Sequence, residues 1–353
     1  MTTGNPNEGI RITIEDLAGV EVPPASAGPI LAPAPGCPSY GTISEASGIE
    51  MPVAEKGSIL LRGWFYLGLA GLVGGLLGWG VCEPWFVDGG GLHLANIVLI
   101  PVVVALVTVG CGIAESVVER SAIKALLRTA MALPLSLVLG FLFNVGADIV
   151  FGFGLLLCRR LGVTHHSNPI FWMARSLAWA AFGVVGGLVY GIVGQSFKKG
   201  KYGVLGGVLG AAAGGMLFDP ISLLFGGHSG VASRAVGFAM FGMATGVMMG
   251  VVESALKDRW LYVTSGPLAG KQFILYKPQT VIGSNQQSDI YLFKDPAIQP
   301  AHAILASNGS RISLRAQGVV YVSGSPVSNR VLNDGDMIQI GRYSFRYKER
   351  SRP

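Results

Sequence analysis

The sequence predicts a multi-domain protein, with a six-helix transmembrane bundle between a disordered N-terminal tail and an all-β sandwich. Three observations carry this reading. Half of the 353 residues are apolar, only 13% are charged, and glycine is the commonest residue at 52, a composition foreign to most soluble globular domains. Six long apolar segments follow one another between residues 60 and 256, each near the roughly 20 helical residues that a hydrocarbon core requires. Beyond them the pattern changes to short β-branched and aromatic runs separated by Gly, Pro, Asn and Asp, as in an all-β sandwich.

The tail is assigned to residues 1–57. Pro23, Pro24, Pro29, Pro33, Pro35 and Pro38 interrupt a Gly/Ala/Ser-rich stretch with too few large apolar groups to form a core, so disorder is expected. Only Ile10–Ile14 has the pattern of a strand. No basic-then-apolar start marks a cleavable signal peptide.

The bundle is assigned to residues 58–257, with apolar segments at about 61–82, 95–118, 125–157, 174–196, 202–225 and 235–256. The third is long enough to tilt, or to kink near Pro134. Odd segments finish near a carboxylate (Glu83, Asp148, Asp219), whereas even segments finish with Glu115-Ser116, Gln195-Ser196 or Glu253-Ser254 followed by basic residues. This weak repeat suggests three helical hairpins. Gly183, Gly187 and Gly191 make a smooth helix face, as do Gly206, Gly210 and Gly214, and Gly242, Gly246 and Gly250. Such glycine-zipper faces let helix backbones approach closely, either within one bundle or in a homo-oligomer. Lys56, Arg62, Arg120, Lys124, Arg128, Lys198, Lys199, Lys201, Lys257 and Arg259 fall on one side of six spans. The positive-inside rule makes that side cytoplasmic, with both termini there, and Arg159-Arg160 is the exception.

Catalytic chemistry finds little footing. Carboxylates in membrane segments are functional candidates, but Glu115 and Glu253 lie near helix ends beside basic residues, which favours interfacial anchoring over a proton relay. Glu83-Pro84 and Asp219-Pro220 read as helix stops. His165-His166 has no nearby carboxylate or thiol to complete a metal set, and Cys37, Cys82, Cys111 and Cys158 contain no close pair. No phosphate loop, dinucleotide fingerprint or nucleophile elbow is present. The expectation is a non-enzyme without catalytic residues, metal or cofactor. The net charge of +6 divides among regions without interleaved aromatics, so no nucleic-acid partner is expected.

Residues 258–353 form the predicted sandwich, with strands at about Trp260–Thr264, Gln272–Tyr276, Thr280–Gly283, Arg311–Arg315, Val319–Val322, Met337–Ile340 and Tyr343–Tyr347. Within it, Thr280-Val-Ile-Gly283-Ser284-Asn285 is followed by Ser288-Asp289-Ile290, Gln299-Pro-Ala-His302, Ser323-Gly324 and Asn333-Asp-Gly335-Asp336. That order resembles the forkhead-associated (FHA) domain, a β-sandwich that reads phosphothreonine peptides. The resemblance implies that Gly283, His302 and Gly324 hold loop shape. It also implies contacts to phosphate and peptide at positions where the family has Arg, Ser and Asn; here Ser284, Gln299 and Ser323 stand there. A phosphate dianion needs a fork of charged donors, and Ser284 offers one neutral hydroxyl. Lys294, Arg311, Arg315 and Arg330 are auxiliary sources of positive charge.

The whole plan, a Gly-rich multi-span region running into this domain, resembles bacterial membrane proteins that carry an FHA domain. It implies a membrane-anchored signalling scaffold that presents an FHA-like module, with a degenerate phosphothreonine pocket, to a cytoplasmic protein partner, phosphorylated or not. The alternative is a channel or transporter with a C-terminal FHA-like regulatory domain.

Overall fold

A computed structural model describes residues 58–88, 93–163, 167–224, 230–309 and 311–350. The chain divides into two units, Met1–Ala54 and Glu55–Pro353. The first, with the expected tail and the Ile10–Ile14 strand, lies outside the described residues, together with His165 and His166.

Six helices open the second unit: α1 (Gly63–Cys82), α2 (Leu94–Val118), α3 (Ala122–Arg160), α4 (Pro169–Val193), α5 (Phe197–Leu224) and α6 (Gly230–Leu256). All six are long and apolar enough to cross a membrane. Chain neighbours pack together, α6 closes the ring on α1, and α2 also lies against α4. At 39 residues, α3 is about 58 Å long, nearly twice the roughly 30 Å of a hydrocarbon core, so it crosses at a steep tilt or extends beyond it. Its Leu126, Val138, Leu142 and Phe153 stand exposed.

The glycine faces occupy the helix contacts of this bundle. A Cβ on Gly242 or Gly246 would fall on the carbonyls of Gly71 and Leu67 in α1. Cβ atoms on Gly206, Gly210 and Gly214 would come within about 2.5 to 2.7 Å of the α6 backbone at Met249, Thr245 and Phe241. Gly183, Gly187 and Gly191 press on α5 at Gly207, Val204 and Gly200. Carbon atoms packed at their optimal separation stand about 3.5 to 4.0 Å apart, so any side chain here would force two helices apart.

Two interhelical turns are built alike. Arg120 and Gln195 take positive φ (56° and 51°), and the next residue donates its N–H back to a carbonyl five residues earlier, Ser121 to Ser116 and Ser196 to Gly191. Each serine then caps the following helix by accepting from the N–H of Lys124 or Lys199. The hairpin repeat therefore pairs Arg120-Ser121 with Gln195-Ser196; Glu115-Ser116 lies a turn earlier, inside α2.

One expected helix stop is corrected. α5 runs through Asp219-Pro220 to Leu224, since a transmembrane helix tolerates proline when neighbours satisfy the freed backbone group. Asp219 instead accepts from Arg175 Nε of α4 at 2.8 Å, and that guanidinium lies against Phe151, Phe171 and Phe218. Glu83 begins a 3-10 turn after α1 and accepts twice from Arg234 of α6, at 2.6 and 3.1 Å.

The sandwich comprises β1 (Arg259–Ser265), β2 (Gln272–Ile274), β3 (Gln279–Gly283), β4 (Ile290–Tyr291), β5 (Ala303–Asn308), β6 (Arg311–Ala316), β7 (Val320–Val322), β8 (Ser325–Pro326), β9 (Asn329–Leu332), β10 (Met337–Ile340) and β11 (Tyr343–Glu349). One sheet runs β2-β1-β11-β10-β7-β8 and the other β4-β3-β5-β6-β9, antiparallel except for β3 with β4. Leu261, Ile282, Leu305, Leu314, Ile338, Phe345 and Tyr347 fill the space between them. β4, β5, β8 and β9 are absent from the sequence reading. Ala, Ser and Asn are weak strand formers, and β5 is held between β3 and β6 with Ala303 and Leu305 turned into the core.

Candidate functional site

His302 organises one end of the sandwich and is buried, at 3% exposure. Its N–H donates to Ile282 O at 2.8 Å, and its carbonyl accepts from Gln317 and Gly318 at 2.9 and 3.0 Å. Nδ1 accepts from the Gln299 N–H at 3.1 Å. Nε2 lies 3.0 Å from Val319 O and must therefore carry the ring proton. The imidazole thus ties the loop before β5 to the one after β6, while the His302 backbone N–H holds the end of β3. A Cβ on Gly318 would strike that ring, and one on Gly283 would strike Pro300 O, so both positions require glycine for close approach.

Ser284, Asn285 and Gln299 sit at this end. Ser284 N–H donates to Gln299 O at 2.9 Å and Asn285 N–H to Pro300 O at 3.4 Å. Lys294 is exposed in the β4–β5 loop with φ of 62°. Beside it, the Arg342 and Ala297 N–H groups hold the Asp295 carboxyl below the usual carboxylate range. Arg315, exposed on β6 opposite Ile304, lies close to His302 along the ladder.

The rest of the expected set lies elsewhere. Ser323 and Gly324, with φ of 50° and 83°, form the β7–β8 hairpin, where Ser323 Oγ donates to Asp336 at 3.1 Å. Val319, which touches His302, and Ser323 are separated by the length of β7, about 13 Å of extended chain. Arg330 reaches Val322 O at that same far end, and Arg311 pairs with Asn308 at the far end of β6. The residues found beside His302 in their stead are Gln317 and Gly318. Their sequence signal was a single Gln-Gly pair ahead of the Val319-Val-Tyr-Val run.

The loop after β3 also meets the helical bundle. Ser121 Oγ donates to Gln286 O at 2.9 Å, Ile123 N–H to Gln286 Oε1 at 3.4 Å, and Lys124 Nζ to Asp289 O at 3.1 Å. Glu119, at the end of α2, accepts from Lys124 at 2.9 Å and from Lys271 of the sandwich at 2.8 Å. The Glu119 and Lys271 side chains are each 1% exposed. Alongside, Glu115 accepts from Lys199 at 2.8 Å and Arg128 at 3.3 Å. Glu253 accepts from the hydroxyls of Tyr190 at 3.2 Å and Tyr276 at 2.6 Å. Burial, and then the Glu253 charge, push the Tyr276 hydroxyl far above the usual tyrosine range. Glu115 and Glu253, expected as interfacial anchors, thus stand where the bundle meets the sandwich.

Loops held by Gly283 and His302 at one end of a two-sheet sandwich match part of the motif pattern described above, with Ser323 and Gly324 outside it. The C-terminal domain is FHA-like. Residues 262–351 match the family model described as the inner membrane component of T3SS, cytoplasmic domain. The glycogen accumulation regulator GarA of Mycolicibacterium smegmatis is 34% identical over 101 residues, 28% of this chain and 63% of that protein. The oxoglutarate dehydrogenase inhibitor of Corynebacterium jeikeium is 36% identical over 86 residues, 24% of this chain and 59% of that protein. The chain thus spans about three fifths of these curated relatives. Among solved structures, one from a study of phosphothreonine-dependent FHA domain interactions aligns with 21% identity and a TM-score of 0.25, over 27% of this chain and 99% of that one. The cytoplasmic domain of the T3SS sorting platform protein PscD from P. aeruginosa aligns with 21% identity and a TM-score of 0.24, over 27% and 83%.

Proposed function

We propose that this protein is a membrane-anchored signalling scaffold whose FHA-like domain, on the cytoplasmic face, binds a protein partner through a pocket that has lost its phosphothreonine contacts. The observation that carries this is the contrast at Gly283-Ser284. Gly283 and His302 hold the loops together, yet the position expected to supply a charged fork holds a serine whose N–H is already given to Gln299 O. Losing a charge-assisted hydrogen bond costs about 1.5 to 3 kcal/mol, so losing several removes most of the roughly 8 kcal/mol of a micromolar complex. The names of the relatives, a regulator and an inhibitor, support a role played by binding.

Crosslinking followed by co-purification, with and without residues 258–353, tests the reading; recovery of the same cytoplasmic proteins from both chains counts against it. Reporter fusions at the two termini test the orientation, and a C-terminal reporter outside the cytoplasm overturns it. The described residues give the transport alternative little support. Among the described residues, the cavity at the bundle centre between Val104, Thr108, Phe182, Phe241 and Met249 measures about 10 Å³, no more than the space one water needs.

A further inference from the structure

The outer surface of the bundle carries a feature that the binding role of the FHA-like domain does not use. Between α4 and α5 runs a groove of about 610 Å³, lined by Leu188, Ile192, Phe197, Lys201, Leu205 and Val208 among others. It exists because Gly191 and Gly200 bring the two backbones together with no side chain to fill the seam. Its walls are apolar and open to the surroundings, with Leu188, Ile192 and Leu205 all exposed. Its end lies at the α4–α5 turn, on the side of the bundle that carries the β-sandwich. There Phe197 is 81% exposed, and Lys201 holds its ammonium 4.8 Å above the Phe197 ring. Lys201 is exposed and makes no ion pair among the described residues. The N-terminus of α5, a 28-residue helix, adds its partial positive charge at the same place.

An apolar seam that opens into the hydrocarbon and ends in an unpaired cation at the interface has the chemistry of one ligand class. We propose that this groove binds an anionic glycerophospholipid, with an acyl chain along the α4–α5 seam and the phosphate on Lys201. The proposal rests on the bundle spanning a membrane and is independent of what the FHA-like domain binds. Basic pockets between transmembrane helices suit anionic head groups, and a lysine near the surface favours an anionic over a net-neutral lipid by roughly five-fold. The turn that would hold the head group also faces inward. Lys198 pairs with Asp258, Lys199 with Glu115, and Gln195 accepts from Lys277 of the sandwich, so lipid occupancy acts on the turn that supports the FHA-like domain.

The full chain, purified in detergent, is exposed to phosphatidylglycerol and phosphatidylcholine of identical chains, and retained lipid is counted by native mass spectrometry. About five-fold preferential retention of phosphatidylglycerol is expected, lost in Lys201→Gln and kept in Lys201→Arg. Leu205→Trp, which fills the groove, should lower retention of both lipids. Equal retention of the two lipids by the natural chain overturns the proposal, as does a preference that survives Lys201→Gln. Displacement of the lipid by inorganic phosphate alone overturns the part assigned to the acyl chain.

Discussion

Replacing Glu119 by Gln keeps the shape of the side chain and removes the charge shared by Lys124 of α3 and Lys271 of the sandwich. Both ends of the Glu119–Lys271 contact are 1% exposed, and Lys124 is 9% exposed, so solvent screens the loss little. Deleting one partner of a buried ion pair costs about 3 to 5 kcal/mol, because the charge left behind is uncompensated. Here the cost falls on contact between bundle and sandwich, a shift of roughly 150- to 5,000-fold in that equilibrium. The Lys198–Asp258 pair, at 39% and 30% exposure, sets the contrast: Lys198→Ala should cost about 0 to 1 kcal/mol. Hydrogen exchange on the full chain in lipid discs reads the difference. Amides of the α2–α3 turn and of residues 284–289 should exchange faster in Glu119→Gln, while those of β10 and β11 stay protected. Unchanged exchange at the turn refutes the reasoning, and so does loss of protection in β10 and β11, which would mean unfolding of the sandwich.

Gly246→Leu should abolish assembly of the bundle, since a Cβ there already meets Leu67 O, whereas Gly80→Leu, with nothing within 4 Å of its Cβ, should be tolerated; yield of monodisperse protein from membranes compares them. Ser284→Arg with Gln299→Ser should raise affinity for a phosphothreonine peptide over its plain counterpart. Adding Ser323→Asn should add nothing, because Ser323 lies at the far end of β7; anisotropy titrations that show a further gain would return Ser323 to the pocket. The raised Tyr276 hydroxyl stabilises the folded state below the unfolded tyrosine pKa of about 10, and that contribution is lost as pH climbs above it toward the folded value. Contact between bundle and sandwich should therefore weaken above about pH 10, and Tyr276→Phe should flatten that alkaline loss in the same exchange experiment. Arg175→Ala should destabilise the bundle by about 3 to 5 kcal/mol, leaving Asp219 buried without its cation, and Arg175→Ala with Asp219→Asn should recover part of it; thermal melts in detergent measure both.

The membrane helices are legible because an apolar span of the right length needs no partner to declare itself. Their starts are less so. α4, α5 and α6 begin at Pro169, Phe197 and Gly230, each five residues ahead of the apolar segments at 174, 202 and 235. The first turn of α5, Phe197-Lys-Lys-Gly200, is mostly polar, whereas that of α4, Pro169-Ile-Phe-Trp172, is apolar but set off by Arg175; Asn168 and Ser196 cap the two starts, a local signal that hydropathy does not see. The pocket frame of Gly283 and His302 is legible through the resemblance of the motif order to the FHA domain. Ser323 misleads because a turn glycine preceded by a small polar residue looks alike at either end of β7. Nothing local announces Lys271 as a buried partner of Glu119, because that contact joins residues 152 apart in the chain.

Only Lys257 and Asp258 separate the last turn of α6 from β1. Two residues span at most about 7 Å, so the sandwich has no slack in which to swing, and β1 is an inner strand of its sheet, flanked by β2 and β11. A roll or piston movement of α6 within the bilayer must therefore appear as rotation or lift of the whole sandwich. Mechanically, the FHA-like domain is the handle of that helix: force applied to the sandwich reaches α6 through those two residues.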